Sequence, residues 1–228
     1  MIENQQTLNV ALNESVSLNN FVVGDNSQLV ASLSEVALLA DSKIIYLWGE
    51  AGVGKTHLLQ GVCHLASGAG NATAYIPMTL ADITVEYLHS LEQLSLLCVD
   101  DIHLIAGKPD WEQAYFHLYN LIRDSGHRLI VSANAPIRAL PIQLEDLRSR
   151  LSWGLVYQVQ RLSDEGKMEA LIQKAKSRGF ELPDNVAQFI LRRCPRDSHS
   201  LFEIIEKLDQ ASLTAQRKIT IPFVREIL

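Results

Sequence analysis

Apolar residues in the first two thirds of the chain fall into two alternating patterns. Short continuous apolar runs have the length of buried parallel strands. These runs cover residues 43–48, 73–77, 96–99, 128–133 and 155–159. Between them, apolar residues recur at helical spacing, as at Leu29, Leu33 and Val36, and again from Trp111 to Ile122. The alternation predicts an α/β fold with a doubly wound, five-stranded parallel sheet flanked by helices, whose ligand binds at the carboxyl ends of the strands.

Beyond Gln160 only helical spacing remains. Ser163, followed by two acidic residues, is typical of a helix cap and first turn. At the other end, residues 1–20 are polar, rich in Asn and Gln, and lack a sustained period. We therefore expect a flexible arm over residues 1–20, a sheet domain over residues 21–160, and a small all-α lid domain over residues 161–228.

The first apolar run leads directly into residues 49–56, which fit the P-loop pattern G-x-x-x-x-G-K-[ST] without a mismatch. Its glycines let backbone N–H groups converge on phosphate oxygens, and the helix predicted from Lys55 adds its positive N-terminus. Lys55 is expected to reach the β- and γ-phosphates, and Thr56 to bind Mg²⁺. The alternative is a glycine-rich turn that matches by chance. The candidate nucleotide-binding residues are Gly49, Gly52, Val53, Gly54, Lys55, Thr56 and His57.

The third apolar run ends in two carboxylates, the Walker B pattern. In a parallel sheet this strand ends beside the P-loop, where Asp100 can hold Mg²⁺ through its water shell and Asp101 can orient an attacking water. The fourth run ends at Asn134, which either meets the γ-phosphate or its water, or is a turn residue before Pro136. Upstream of the P-loop, Phe21 either lines a base pocket or simply packs.

Composition and charge narrow the range of partners. With 228 residues, 47% hydrophobic and 20% charged, the chain can bury one good core and a smaller second one. It has neither a membrane-span run nor a signal-peptide pattern, so a cytoplasmic protein without membrane contact is expected.

The net charge is -6, with 8 basic and 16 acidic residues up to Arg150 and 12 basic and 10 acidic residues after it, which argues against autonomous tight DNA binding. Three widely spaced cysteines indicate buried thiols.

Several segments together resemble the DnaA branch of the AAA+ proteins, and within it the Hda family. They are Asn20-Phe21 with Gly24, Gly49 to Thr56 followed by His57-Leu58-Leu59, Asp100-Asp101-Ile102 with Ala106-Gly107-Lys108, and Ser149 to Gly154. Residues 213–224 are similar to the Hda family rather than to DnaA. The resemblance spans essentially the full length, and it implies an AAA+ P-loop module with a small helical lid, ADP or ATP with Mg²⁺ as ligand, and weak or no autonomous ATPase activity.

The resemblance also implies partners. In the Hda family an N-terminal glutamine motif docks on the DNA polymerase III β sliding clamp, and the ADP-bound protein promotes hydrolysis of ATP on DnaA, which inhibits re-initiation. By this likeness Gln5, Leu8 and Val10 are the expected clamp contacts, DNA is reached only through the clamp, and self-association is left open. A DnaA initiator continues into a helix-turn-helix domain, whereas this sequence stops at Leu228, so a regulator is expected.

Two further roles follow from the same resemblance. AAA+ lids normally direct an arginine, called sensor 2, at the phosphates of the nucleotide. By this likeness the sensor 2 position falls near His199, and Arg196, one helical turn earlier, is expected to substitute for the missing arginine. Arg150 lies where AAA+ proteins present an arginine to the neighbouring subunit, so it is expected to act on ATP bound to DnaA; the alternative is a surface or capping arginine. Two other classes stay open, namely an autonomous AAA+ ATPase of the helicase-loader or clamp-loader type and a truncated initiator that binds origin DNA.

Overall fold

The computed structural model describes residues 12–39, 41–81, 83–89, 91–194 and 198–227, with the backbone alone for Ser198 and His199. The chain forms two compact units. The first comprises residues 12–19 and 26–159, and the second comprises residues 20–25 together with those from 160 onward. No helix in the described ranges is long and apolar enough to cross a membrane.

The first unit is built on a five-stranded parallel sheet with the strand order β2-β3-β4-β1-β5. Its strands are β1 (Ile44–Trp48), β2 (Thr73–Pro77), β3 (Leu96–Asp100), β4 (Arg128–Ala133) and β5 (Leu155–Gln158). Its helices are α1 (Ser27–Leu38), α2 (Lys55–Gly68), α3 (Pro109–Asp124) and α4 (Glu145–Leu151). The predicted five-stranded parallel sheet with flanking helices is therefore confirmed.

Burial along each strand follows its place in the sheet. β3 and β4 are buried at every residue, and Leu97, Val99 and Val131 share one core with Tyr115 and Leu118 of α3. The sequences of such strands are continuously apolar because helices cover both faces of the sheet, so that side chains on either face are buried. The edge strand β5 is different, since its first two residues, Leu155 and Val156, stay 45% and 46% exposed. Its pairing continues one residue further, where the Val159 N–H donates to the Trp48 carbonyl at 2.8 Å.

A buried arginine at the start of β4 joins three parts of the first unit. Arg128 is 3% exposed, and its Nε donates to the Ser95 carbonyl at 2.9 Å. Its Nη1 donates to the carbonyls of Val36 and Leu39 at the C-terminus of α1, both at 2.8 Å. Its Nη2 donates to Asn71 Oδ1 at 2.9 Å, in the turn before β2. A cation at a helix C-terminus also complements the negative end of the helix dipole. Arg128 therefore satisfies carbonyls that the last turn of α1 cannot pair within the helix.

Residues 13–18, which the sequence assigned to the N-terminal arm, lie along α2. His64 Nε2 is 3.1 Å from the Asn13 carbonyl, and His57 Nε2 is 2.9 Å from the Ser17 carbonyl. Gly61 allows this close approach, because a Cβ there would lie 2.9 Å from the backbone nitrogen of Leu18. The described part of this segment is thus packed on the sheet unit through α2.

The second unit is a small helical domain. Its helices are α5 (Asp164–Ser177), α6 (Asp184–Arg193), α7 (Ser198–Ala215) and α8 (Ile221–Ile227). Ser163 caps α5 as expected, since its Oγ accepts from the Gly166 N–H at 3.1 Å. Its core includes Leu171, Ile190, Ile205, Leu208 and Val224, which are buried. The predicted all-α lid is therefore confirmed.

Candidate nucleotide-binding site

The P-loop connects β1 to α2 at the carboxyl end of the sheet. Gly52 and Gly54 adopt φ angles of 77° and 99°, in the left-handed region that glycine enters without strain. Gly49 needs a glycine for a different reason, because a Cβ there would lie 3.0 Å from the Val159 carbonyl oxygen. The loop ends at the N-terminus of α2, a helix of 14 residues, so its positive end faces the curl of the loop. This backbone is shaped to cradle an anion.

Lys55 is folded over the loop that precedes it. The residue is buried, and its Nζ donates to the carbonyls of Gly49 at 2.8 Å and Glu50 at 3.0 Å. Burial lowers the pKa of this ammonium group, while the carboxylates of Asp101 and Asp100 act to raise it. A lysine ammonium has three donors, so the two carbonyl bonds leave one for another acceptor.

Asp100 is the polar centre of the site and is 3% exposed. Its Oδ2 accepts from Thr56 Oγ1 at 2.7 Å and from the Tyr75 hydroxyl at 2.8 Å. Its other oxygen, Oδ1, accepts a hydrogen bond from Ser132 Oγ. Burial is the main reason that the pKa of Tyr75 is raised, and the neighbouring Asp100 adds to the effect. Tyr75 therefore stays a neutral donor to the carboxylate at physiological pH.

The Thr56 and Asp100 oxygens fit a magnesium ion. Mg²⁺ prefers hard oxygen ligands and takes one or two from a protein, with phosphates and waters supplying the rest. Thr56 Oγ1 and Asp100 Oδ2 converge to 2.7 Å beside the P-loop, as such a site requires. Within the described ranges no group of three or more His, Cys, Asp or Glu side chains is arranged to hold a metal ion.

Asp101 is held differently from its neighbour. Its backbone is left-handed at φ 60°, and its N–H donates to Ser132 Oγ at 3.0 Å. Its Oδ1 lies 3.7 Å from His103 Nδ1. Burial, followed by the charge of Asp100, raises the pKa of Asp101, and the nearby His103 and Lys55 counteract part of this shift. A second, half-buried carboxylate with a raised pKa therefore lies next to Asp100.

The raised pKa of Asp101 implies that this side chain affects the free energy of unfolding in a pH-dependent way. The folded state holds the Asp101 proton more tightly than the unfolded chain, so this group's contribution is present below its unfolded pKa of about 3.9 and is lost as the pH rises through the folded pKa. Asp101→Asn removes the ionised form and keeps a side chain that tolerates the left-handed backbone. Without nucleotide and Mg²⁺, the variant is expected to be more stable than wild type at pH 7, with the advantage shrinking toward pH 4.

Urea unfolding followed by tryptophan fluorescence measures this difference. Asp124→Asn is the matched control, because that carboxylate is exposed beside Arg123 and should show no comparable gain. Loss of stability in Asp101→Asn at pH 7 would mean that Lys55 and His103 stabilise the carboxylate more than burial disfavours it.

Asn134 directly follows β4, beside the first residue of the P-loop. The carbonyl of the preceding residue, Ala133, accepts from the Gly49 N–H at 3.2 Å, which brings the end of β4 to the first P-loop glycine. Asn134 itself is exposed. Both the phosphate-sensing role and the turn role agree with this position.

Arg150 lies in the last turn of α4, and its Cζ is 4.2 Å from the centroid of the Trp153 ring. Its side chain forms no hydrogen bond or ion pair with another described residue. Arg148, on the same helix, is engaged within the chain, where Nη1 contacts Glu145 at 2.9 Å and Nη2 donates to the Ile142 carbonyl. The two arginines therefore differ: Nη1 and Nη2 of Arg148 are bonded within the chain, whereas no side-chain nitrogen of Arg150 is bonded to a described residue.

Two residues of the site were missed at the level of sequence. Ser132 is fully buried and links Asp100 to the Asp101 backbone, and Tyr75 donates to Asp100 from the neighbouring strand β2. Ser132 did carry a recognisable mark, since it is the single hydroxyl residue within the apolar run of β4. Tyr75 carried none, because its role depends on β2 lying next to β3.

The remaining candidate residues divide into those outside the described ranges and those within them. Gln5, Leu8, Val10 and Arg196 are outside the described residues, and so is the side chain of His199. Phe21 is half-buried and belongs to the second unit. His57 and Val53 are in the first unit, where the imidazole of His57 contacts Ser17 and a Val53 methyl group limits the space at Gly49.

Comparison with known proteins separates the chain into the same two parts. The family model of the bacterial DnaA ATPase domain matches residues 12–158, and the model described as the Hda lid domain matches residues 164–228. Domain III of the Thermotoga maritima DnaA superposes with a TM-score of 0.83 at 22% identity, covering 96% of this chain and 97% of that one.

Two other solved structures share the fold. AMPPCP-bound DnaA from Aquifex aeolicus has a TM-score of 0.69 at 22% identity, covering 86% of this chain and 65% of that one. The R170A variant of Thermotoga maritima RuvB has a TM-score of 0.70 at 16% identity, covering 94% and 72%. The DnaA model alone spans more than half of the sequence. The chain therefore belongs to the bacterial DnaA ATPase domain family, as an AAA+ protein that ends in a lid domain of the Hda type.

Proposed function

We propose that this protein is a nucleotide-dependent regulator of replication initiation. It binds ADP or ATP with Mg²⁺ at the P-loop, docks on the DNA polymerase III β sliding clamp, and promotes hydrolysis of ATP bound to DnaA, so that re-initiation is inhibited. The observation that carries the proposal is the pairing of a DnaA-type ATPase domain with an Hda-type lid in one chain.

The nucleotide part of the proposal rests on the P-loop geometry. With nucleotide bound, the Lys55 ammonium, which now donates to loop carbonyls, would donate to β- and γ-phosphate oxygens, and the Thr56 and Asp100 oxygens would hold Mg²⁺. Bound Mg²⁺ neutralises phosphate charge. The DnaA of Aquifex aeolicus, which shares this fold, binds the nucleotide analogue AMPPCP.

Lys55→Ala is expected to weaken ADP binding by about 10- to 100-fold, because it removes one charge-assisted phosphate contact and little core packing. Isothermal titration calorimetry with ADP and Mg²⁺ measures the change. Lys43→Ala is the matched control, since Lys43 is in the same unit and pairs with Glu35 at the surface. Wild-type affinity in Lys55→Ala would contradict the proposed site.

The clamp part of the proposal rests on residues 1–12 and is tested separately. Replacing Gln5 and Leu8 together with alanine should abolish capture by immobilised β clamp and leave ADP affinity unchanged, because a short docking peptide acts independently of the folded unit. The double variant Asn4→Ala, Asn9→Ala controls for a general effect of changing this segment. Normal clamp capture by the Gln5, Leu8 variant would move the docking site elsewhere.

The alternative function is an autonomous AAA+ ATPase. It is favoured by the second carboxylate, Asp101, which is present beside Asp100 and has the residue type that orients water for attack. Multiple-turnover ATP hydrolysis by the purified chain, without DnaA or clamp, would support this alternative over the regulator. The regulator is supported if the chain hydrolyses its own ATP slowly in a single turnover but accelerates the hydrolysis of ATP bound to DnaA.

A further inference from the structure

Arg150 and Trp153 form a cation–π contact at the surface of the first unit. The guanidinium lies over the indole ring at 4.2 Å, although Trp153 remains 64% exposed. A large aromatic ring at the surface beside a cation that has no other side-chain partner among the described residues can hold that cation by a cation–π contact.

Stacking leaves the arginine able to bind a phosphate. The face of a guanidinium contacts an aromatic ring, whereas its five N–H donors lie in its plane and point outward. Arg150 can therefore be held by Trp153 and still donate to phosphate oxygens. Arg148 shows a different arrangement, because its Nη1 and Nη2 donate to Glu145 and to the Ile142 carbonyl.

Backbone contacts fix the turn that carries Trp153. The Trp153 N–H donates to the Arg150 carbonyl at 3.1 Å, which closes the turn after α4. The next residue, Gly154, is pressed against β1, since a Cβ there would lie 2.3 Å from the Ile44 carbonyl oxygen. The turn is thus anchored to the central sheet on one side and presents Trp153 to solvent on the other.

We propose that Trp153 is a positioning residue, which holds the Arg150 guanidinium extended at the surface so that it meets the γ-phosphate of ATP on a neighbouring DnaA. This rests on the proposed function of Arg150. The partner surface is the nucleotide-bearing face of another DnaA-family domain, whose triphosphate has the charge that complements the free guanidinium edge.

A first experiment tests the stacking on the isolated protein. Ring currents shift protons above an indole ring upfield, so the Arg150 Hδ and Hε resonances should be shifted upfield in wild type. Trp153→Leu should remove the shift, and Trp153→Phe should keep part of it. Unchanged Arg150 resonances in Trp153→Leu would overturn the inference.

A second experiment tests the consequence for hydrolysis of DnaA-bound ATP with DNA-loaded clamp. Trp153→Leu is expected to reduce the maximal rate by about 2- to 30-fold, the range of cation–π interactions, while the half-saturating concentration changes little. Trp153→Phe should restore most of the rate. Leu155→Ala, which removes a neighbouring exposed apolar side chain, is the matched control and should behave as wild type.

The outcomes separate the inference from the proposed function. If Trp153→Leu lowers the rate in wild type but has no further effect in an Arg150→Ala background, the tryptophan acts through the arginine. A raised half-saturating concentration at full maximal rate would assign Trp153 to apolar docking and overturn the inference. If the wild-type protein shows the upfield-shifted Arg150 resonances but does not stimulate hydrolysis of DnaA-bound ATP, the proposed function is overturned. The proposed action of Arg150 in trans is then overturned with it.

Discussion

Arg150→Ala is expected to slow the stimulated hydrolysis of DnaA-bound ATP by about 10³- to 10⁵-fold. A guanidinium brought to the γ-phosphate stabilises the charge that develops in the transition state, and removing it costs roughly 4–7 kcal/mol in comparable arginine-finger systems. The measurement is single-turnover hydrolysis in a reconstituted reaction of DnaA, DNA-loaded clamp and ADP-bound protein. ADP affinity and clamp capture should both stay at wild-type levels, because Arg150 takes part in neither.

The structure makes this prediction specific to one arginine. Arg148 is tied to Glu145 and to the Ile142 carbonyl, so Arg148→Ala should alter the local stability of α4 and reduce the stimulated rate far less. Arg150 has no such bonds among the described residues and lies against Trp153. If Arg148→Ala lost stimulation and Arg150→Ala kept it, the roles of the two residues would be reversed. If neither variant lost it, action in trans would be refuted.

Arg128→Met is expected to lower the free energy of unfolding of the sheet unit by about 3–5 kcal/mol. The substitution keeps an unbranched side chain of similar length, but it leaves the buried Val36 carbonyl and the part-buried Leu39 carbonyl without the Arg128 donor, and each such group costs about 1–3 kcal/mol. The Ser95 carbonyl keeps its bond to the backbone N–H of residue 128. Since folded domains are typically stable by only about 5–15 kcal/mol, the unit should be close to unfolding at physiological temperature.

Tryptophan fluorescence during urea unfolding measures this loss in the relevant unit. All three tryptophans, Trp48, Trp111 and Trp153, belong to the sheet unit, so the signal reports on that unit alone. Arg123→Met is the matched control, because Arg123 is on the surface and pairs with its neighbour Asp124; it should change stability by less than about 0.5 kcal/mol. An equal, small effect of both substitutions would show that water replaces the Arg128 donors.

Features encoded by neighbouring residues were predictable from the sequence. The strand at Leu96–Asp100 and the helix from Lys55 agree with the predicted elements, and β5 ends one residue before the predicted position. The glycines at Gly52 and Gly54 adopt the left-handed conformations that a P-loop needs. In each case the residues that determine the structure are close together along the chain, so their pattern is visible without knowledge of the fold.

The polar partners of Asp100 could not be predicted in the same way. Thr56, Tyr75 and Ser132 come from α2, β2 and β4, and they reach one carboxylate because β3 lies between β2 and β4. Strand order is set by which buried faces pack together, and this information is distributed over the whole unit. The same holds for Arg128, whose acceptors lie up to 92 residues away along the chain.

The sequence by itself determined the type and approximate limits of the sheet strands, the all-α nature of the lid, the P-loop, and the identity of the two carboxylates at the end of β3, because each depends on contiguous residues. Only the tertiary structure decided which side chains surround Asp100, which arginine of α4 keeps its donors unused, and why Gly154 must lack a side chain. These features depend on distances between segments that are far apart in the chain. Such distances arise only when the strands have been ordered and the helices packed against them.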